Sequence, residues 1–169
     1  MEIAKRIGAR VIACASSPEK LAIAREHGAD EGIDYAKEDL KERLRALTGG
    51  EGPEVIYDCV GGDFAETAFR ALAWQGRFMV IGFAAGEIPK MPLNLPLLKN
   101  ADIRGVFWGS WAERNPDANR AHIEQVLAWC ANGELTPHVH GVYPLEKISE
   151  ALEVIAGRKA RGKVVLRVA

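Results

Sequence analysis

The chain has 169 residues, 48% of them hydrophobic and 27% charged, the balance of one soluble globular domain with a single core, which excludes a disordered segment. A formal charge of -1, with lysines and arginines scattered along the chain, excludes a nucleic-acid footprint. No run approaches the roughly 18 apolar residues that a membrane helix needs, and Met1–Arg6 has no apolar stretch behind its basic residues, so no secretory signal and a cytoplasmic location are expected. Cys14, Cys59 and Cys130 lie far apart in apolar surroundings, and are expected to be buried thiols in a reducing compartment.

Hydrophobic periodicity switches repeatedly between 2 and 3.6, the rhythm of strands alternating with helices around a parallel sheet. Ile3, Ala4 and Ile7 predict the end of a helix closed by Gly8, followed by a short strand over Arg10–Ala15. Ser17 is a natural N-cap with Pro18 at the first helical position, and the helix it opens runs to Gly28. Glu31–Tyr35 reads as a strand, and Leu40, Leu44 and Leu47 place one apolar face on a helix that ends at Thr48-Gly49-Gly50. Val55–Val60 is the strongest strand signal; Asp63 and Glu66 then suggest a capping box for a helix through Leu72, stopped at Gly76. Phe78–Gly82 is apolar enough for a strand buried on both faces. A loop with Pro89, Pro92 and Pro96 leads to a strand at Ile103–Phe107, a helix from Asn115-Pro116 through Cys130, a helix over Lys147–Ala156 and a last strand over Lys163–Val168.

This order is that of an α/β, doubly wound parallel sheet of the dinucleotide-binding kind. Such a unit carries a glycine-rich turn between its first strand and first helix, and the residue that reads the ribose stands about 20 residues on, at the end of the second strand. That end is Ser16 here, and no G-x-G-x-x-G occurs in the chain. The first strand and its glycine loop are therefore expected upstream of Met1, and their absence leaves two strand edges to be filled by upstream residues, a second copy, or closure on each other.

The runs Ile3–Ile12, Ser16-Ser17-Pro18-Glu19-Lys20, Glu26–Asp30, Asp34-Tyr35, Val55–Gly62 and Gly162–Leu166 together resemble the C-terminal part of the medium-chain dehydrogenase/reductase superfamily, and within it the NADPH:quinone oxidoreductases. The resemblance covers nearly the whole chain. It implies a dinucleotide-binding domain over residues 1–136, and a segment over 137–169 that returns toward a catalytic domain absent from this sequence. It also implies hydride transfer from NADPH to a quinone or an α,β-unsaturated carbonyl, and a homodimer through the strand Ile103–Trp108. The 169 residues alone are expected to be inactive.

Residue chemistry agrees on the cofactor. Ala15-Ser16-Ser17 ends its strand without the carboxylate that holds a free ribose 2′-hydroxyl in NAD sites. Two hydroxyls, a helix start and Lys20 suit a dianion instead, although Glu19 would oppose one if it turned inward. The resemblance places the 2′-phosphate on Ser16, Lys20 and Tyr35, with Ser17 beside them. It places backbone contacts at Cys59, Val60 and Gly61, nicotinamide contacts at Gly82, Phe83, Phe107, Trp108 and Gly109, and a phosphate contact at Lys163. Read as structure alone, Ser17 caps a helix, Lys20 and Lys163 are solvated, Phe107 and Trp108 are core or interface aromatics, and Asp58 is satisfied by nearby N–H groups. His138 and His140 share one side of a strand but lack a third ligand, so no metal is expected. A non-catalytic nucleotide-binding or self-associating fragment is the alternative. A methyltransferase shares the strand-helix rhythm but explains neither the Ser16–Lys20 run nor the Gly162-Lys163 pair.

Overall fold

The structure is a computed structural model that describes residues 1–157 and 159–168; Arg158 and Ala169, within the expected C-terminal segment, lie outside the described residues. The chain divides into two compact units, residues 1–32 with 122–169 and residues 33–121.

The first unit begins with α1 (Glu2–Arg6), which Gly8 ends by adopting a left-handed φ of +88°. Strand β1 (Ile12–Ala15) pairs with β2 (Glu31–Asp34). Between them, α2 (Pro18–Glu26) starts as expected: the Ser17 hydroxyl accepts the Lys20 N–H, and Pro18 holds the first helical position. After α7 (Pro116–Ala131) the chain forms β6 (Val139–Pro144), a short 3₁₀ turn, α8 (Ile148–Ala156) and β7 (Lys163–Arg167). β6 and β7 run parallel, and the ladder slips between Val139 and Gly141, leaving His140 as the extra residue of a bulge. Leu21, Ala24, Ala29, Leu135 and Ala151 are the buried apolar residues of this unit.

The second unit holds α3 (Leu40–Leu47), β3 (Val55–Asp58), α4 (Phe64–Ala71), β4 (Arg77–Val80), α5 (Asn94–Lys99), β5 (Asp102–Gly105) and α6 (Trp108–Arg114). β3, β4 and β5 make one parallel ladder in that order, with β4 at the centre. Its core is Ala65, Phe69, Leu72, Phe78 and Leu95, with the Phe69 and Phe78 rings 5.6 Å apart and Ile56, Val80 and Met91 packed around them. Burial of these side chains contributes about 1.5–3 kcal/mol for each large residue.

The α/β class and the parallel pairing stand. The strands, however, lie in three ladders rather than one sheet. Several local expectations fail for identifiable reasons. Asp63 takes helical angles and makes no side-chain cap, while Glu66 bridges Arg70 one turn on at 2.6 Å, so the capping box does not form. α4 ends at Ala71, ahead of Gly76. The proline-containing loop holds α5, in which Pro96 sits in the first turn, where its missing N–H costs nothing. The strand expected to reach Phe107 stops at Gly105, and Trp108 opens α6. Cys14 and Cys59 are exposed and Cys130 is half-buried, so none of the three is the fully buried thiol expected. Met79 and Val80 of β4 are likewise half-buried, and only Phe78 is fully enclosed.

Candidate functional site

In the first unit the site grows from the start of α2. Ser17 caps the helix, which turns Lys20 back toward the strand end, and Lys20 Nζ lies 3.5 Å from Ser16 Oγ. Ser17 and Lys20 line a cleft of about 650 Å³, together with Ile23, His138, His140, Val154, Lys159 and Arg161. The basic residues on the far side are set by the β6–β7 pairing. Lys163 N donates to His138 O at 2.9 Å, and a Cβ on Gly162 would stand 2.4 Å from that same oxygen, so only glycine lets the turn close on β6. Arg161 N donates to His140 Nδ1 at 3.4 Å. Because that nitrogen accepts, the neutral ring carries its proton on Nε2, which is then free to donate to a ligand.

Of the residues that line this cleft, Ser17 and Lys20 are among those expected from the sequence, whereas Lys159 and Arg161 are not. The signal was present in the concentration of basic residues between Gly157 and Gly162. Lys163 is exposed and is not among the residues lining this cleft, whose cations from the same segment are Lys159 and Arg161. Glu19 is exposed and does not line it.

In the second unit a different group assembles at the C-terminal ends of β3 and β4. Asp58 Oδ1 accepts the N–H groups of Val60 at 2.9 Å and Gly61 at 3.0 Å, which satisfies the carboxylate within its own turn. The loops then zip together: Ala84 N donates to Cys59 O, Ala85 N to Val60 O, and Gly62 N to Glu87 O. Gly61 has a φ of +68°, and a Cβ there would come within 2.9 Å of the Phe83 ring. Cys59, Val60, Gly61, Gly82 and Phe83 therefore form one backbone-lined rim, as strand ends do where α/β sheets take ligands. Phe107 and Trp108 are 81% and 58% exposed, so neither is a core residue of this chain, and Gly109 lies in the first turn of α6. Tyr35 stacks on Phe64, with ring centroids 4.6 Å apart, beside the buried Asp34.

These features were compared with known proteins. The sequence profile of the zinc-binding dehydrogenase family matches residues 1–131. The chain belongs to that family. The chain spans about half the length of the proteins it matches. Quinone oxidoreductase-like protein 2 homolog of Nematostella vectensis is 40% identical over 160 residues, covering 94% of this chain and 44% of the relative. Among solved structures, quinone oxidoreductase of Escherichia coli complexed with NADPH superposes with a TM-score of 0.88 at 26% identity, over 99% of this chain and 52% of that one. An NAD-dependent alcohol dehydrogenase superposes with a TM-score of 0.86 at 32% identity, over 99% of this chain and 46% of that one. The solved structures that resemble the chain thus include one complexed with NADPH and one of an NAD-dependent enzyme, so the choice of cofactor rests on residues rather than on fold.

The family name also raises zinc. Among the described residues no group of three or more histidines, cysteines or carboxylates is placed to hold a metal ion. The residues present do not fit zinc, and no step is routed through one. No helix among them is long and apolar enough to cross a membrane.

Proposed function

We propose that this chain is the NADPH-binding part of an oxidoreductase that passes hydride to a quinone or an α,β-unsaturated carbonyl. The observation that carries the reading is the end of β1: Ser16 and Ser17 stand where an NAD site keeps a carboxylate, and Lys20 reaches back to Ser16. A lysine over two hydroxyls stabilises a 2′-phosphate and gives a plain ribose no comparable contact. Within the second unit, the rim of Cys59, Val60, Gly61, Gly82 and Phe83 offers backbone groups of the kind a dinucleotide takes at strand ends. When bound, the nicotinamide supplies the hydride; these residues bind and orient it. Residues 1–136 form the dinucleotide domain in this reading, and 137–169 return toward a catalytic domain. The edge strand β5, exposed along its whole length, is the surface for a homodimer. The 169 residues supply cofactor binding without turnover of their own.

Binding of NADPH and NADH to the chain, followed by cofactor fluorescence, tests the cofactor choice. Lys20→Ala should weaken NADPH about tenfold while leaving NADH within about twofold, the loss expected for one charge-assisted contact. An unchanged preference would overturn the assignment.

A further inference from the structure

Strands β3 and β4 run side by side with Asp58 opposite Val80, so the loops that follow them leave the same end of the ladder. The first, residues 59–63, turns through two successive left-handed glycines, Gly61 at a φ of +68° and Gly62 at +62°. Glycine enters that region without strain and leaves it as easily, so the pair does not fix its own conformation. The Asp58 carboxylate does. Its Oδ1 accepts the N–H groups of Val60 and Gly61 together, and bonds to a charged acceptor are roughly twice as strong as neutral ones. The main chain of the same residue anchors the second loop, because Asp58 O accepts the Ile81 N–H at 2.8 Å. Beyond that point the second loop buries little: Phe83 and Ile88 are 39% and 68% exposed, and residues 84–87 are exposed throughout. It is held instead on the first loop, by its bonds to Cys59 O, Val60 O and Gly62 N and by the Phe83 ring lying against Gly61.

We propose that Asp58 is the positioning residue of this rim: its side chain fixes the Val60-Gly61 turn, the turn carries residues 83–87, and a ligand meets both loops already assembled. This rests on the reading of the rim as part of a dinucleotide site and names the residue on which the shape of that site depends. A rim assembled beforehand raises affinity, because the ligand does not have to order two loose loops on binding. The contribution is common to NADPH and NADH. Loss of Asp58 therefore acts on affinity and not on the choice between the two cofactors, which rests on Lys20.

Amide hydrogen exchange, read residue by residue on the 169-residue chain, tests the coupling of the loops, and cofactor fluorescence tests its consequence. Asp58→Ala should speed exchange about tenfold or more at Val60 and Gly61, and as much at Ala84 and Ala85, to which the Asp58 carboxylate makes no bond. Phe78 and Met79 inside β4 should exchange as before, which shows the unit folded. NADPH and NADH should both weaken about tenfold with their ratio unchanged. Asp58→Asn, which keeps an acceptor oxygen, should restore protection at all four amides and affinity to within about twofold. Ala84→Pro, which removes one donor between the loops, should free Ala85 and leave Val60 and Gly61 protected. If Asp58→Ala frees only Val60 and Gly61, or Ala84→Pro frees them as well, the order of dependence is overturned. If all four amides loosen while cofactor affinity holds, the role in binding is overturned. Asp58→Asn as weak as Asp58→Ala would assign the effect to the charge rather than to the turn, which overturns it too. An unmodified chain that shows the exchange pattern but binds neither cofactor overturns the dinucleotide reading and leaves the coupling of the loops standing.

Discussion

The cleft of about 650 Å³ at the start of α2 and the cleft of about 490 Å³ at its end are both lined by lysine, arginine and histidine, yet among the described residues only the second is lined by carboxylates. Around the second, Arg6 pairs with Glu134, Lys5 with Asp30, and Glu2 with His27. Glu2 Oε1 also accepts the N–H and hydroxyl of Thr136, at 3.0 and 3.1 Å. Lys5, Arg6 and Glu134 each meet an opposite charge within the protein, and these contacts hold the unit together. Among the described residues, no salt bridge joins Lys20, Lys159 or Arg161 of the first cleft to a carboxylate, which leaves their charge available to a ligand. Basic composition alone does not separate a binding site from a structural one; the position of the carboxylates does.

The largest effect should come from Gly162→Ala. The new Cβ would meet the backbone oxygen of His138, which cannot swing aside as a side chain would, and β6 and β7 would have to part locally. We expect a loss of about 1–3 kcal/mol in chemical denaturation, the range for forced overpacking. The second cleft should keep its ion pairs. A variant of full stability would show that the turn is looser than its geometry implies.

Next in size is Glu2→Ala, which strips the second cleft of the acceptor shared by His27 and Thr136. Truncation should cost about 1–2 kcal/mol, since the Thr136 groups lose a charged acceptor, and should leave phosphate affinity untouched. Burial works to raise the Glu2 carboxyl pKa, but the hydrogen bonds from His27 and Thr136 outweigh it and hold the group below its ordinary value. A depressed folded value means that the stabilisation is fully present above the unfolded carboxylate range and disappears as pH falls through the folded value. The stability gap between Glu2→Ala and the unmodified chain should therefore be widest near about pH 6 and close on acidification toward about pH 3. A gap that widens in acid would reverse the assigned sign.

The contrast between the clefts also marks what a linear reading can see. The start of α2 was legible because its rule is local: a hydroxyl three residues before the N–H it caps, and a proline whose fixed φ suits the first turn. The rim at Cys59–Gly61 and Gly82-Phe83 was expected from the family resemblance, at the ends of apolar runs, and of the two readings left open for Asp58 the structure shows the carboxylate satisfied by the N–H groups two and three residues on. Lys159 and Arg161 were not legible. They line the same cleft as Lys20 through the pairing of β6 with β7, and no local rule encodes that pairing. The helices α5 and α6 were hidden for another reason. Pro96 in a first turn looks like a loop, and the apolar Val106-Phe107-Trp108 run looks like a strand continuing.

The smallest effect on stability, and the sharpest test of the comparison, is Ser17→Asp. Aspartate is as good an N-cap as serine, so the carboxylate should take over the Lys20 N–H, and stability should change by no more than about 0.5 kcal/mol. The negative charge also complements the positive end of α2. In the cleft, however, it places beside Lys20 the carboxylate that the second cleft already has and the first lacks. The cations would then be satisfied from within, and phosphate or adenosine 2′-monophosphate would have to displace a tethered anion and face its charge. Affinity for both should fall at least tenfold, with adenosine unaffected, while Ser17→Thr, which keeps a neutral hydroxyl, should retain both the cap and the binding. If Ser17→Asp bound phosphate as tightly as the unmodified chain, the carboxylate would not be the feature that separates the two clefts, and the start of α2 would not be where the anion sits.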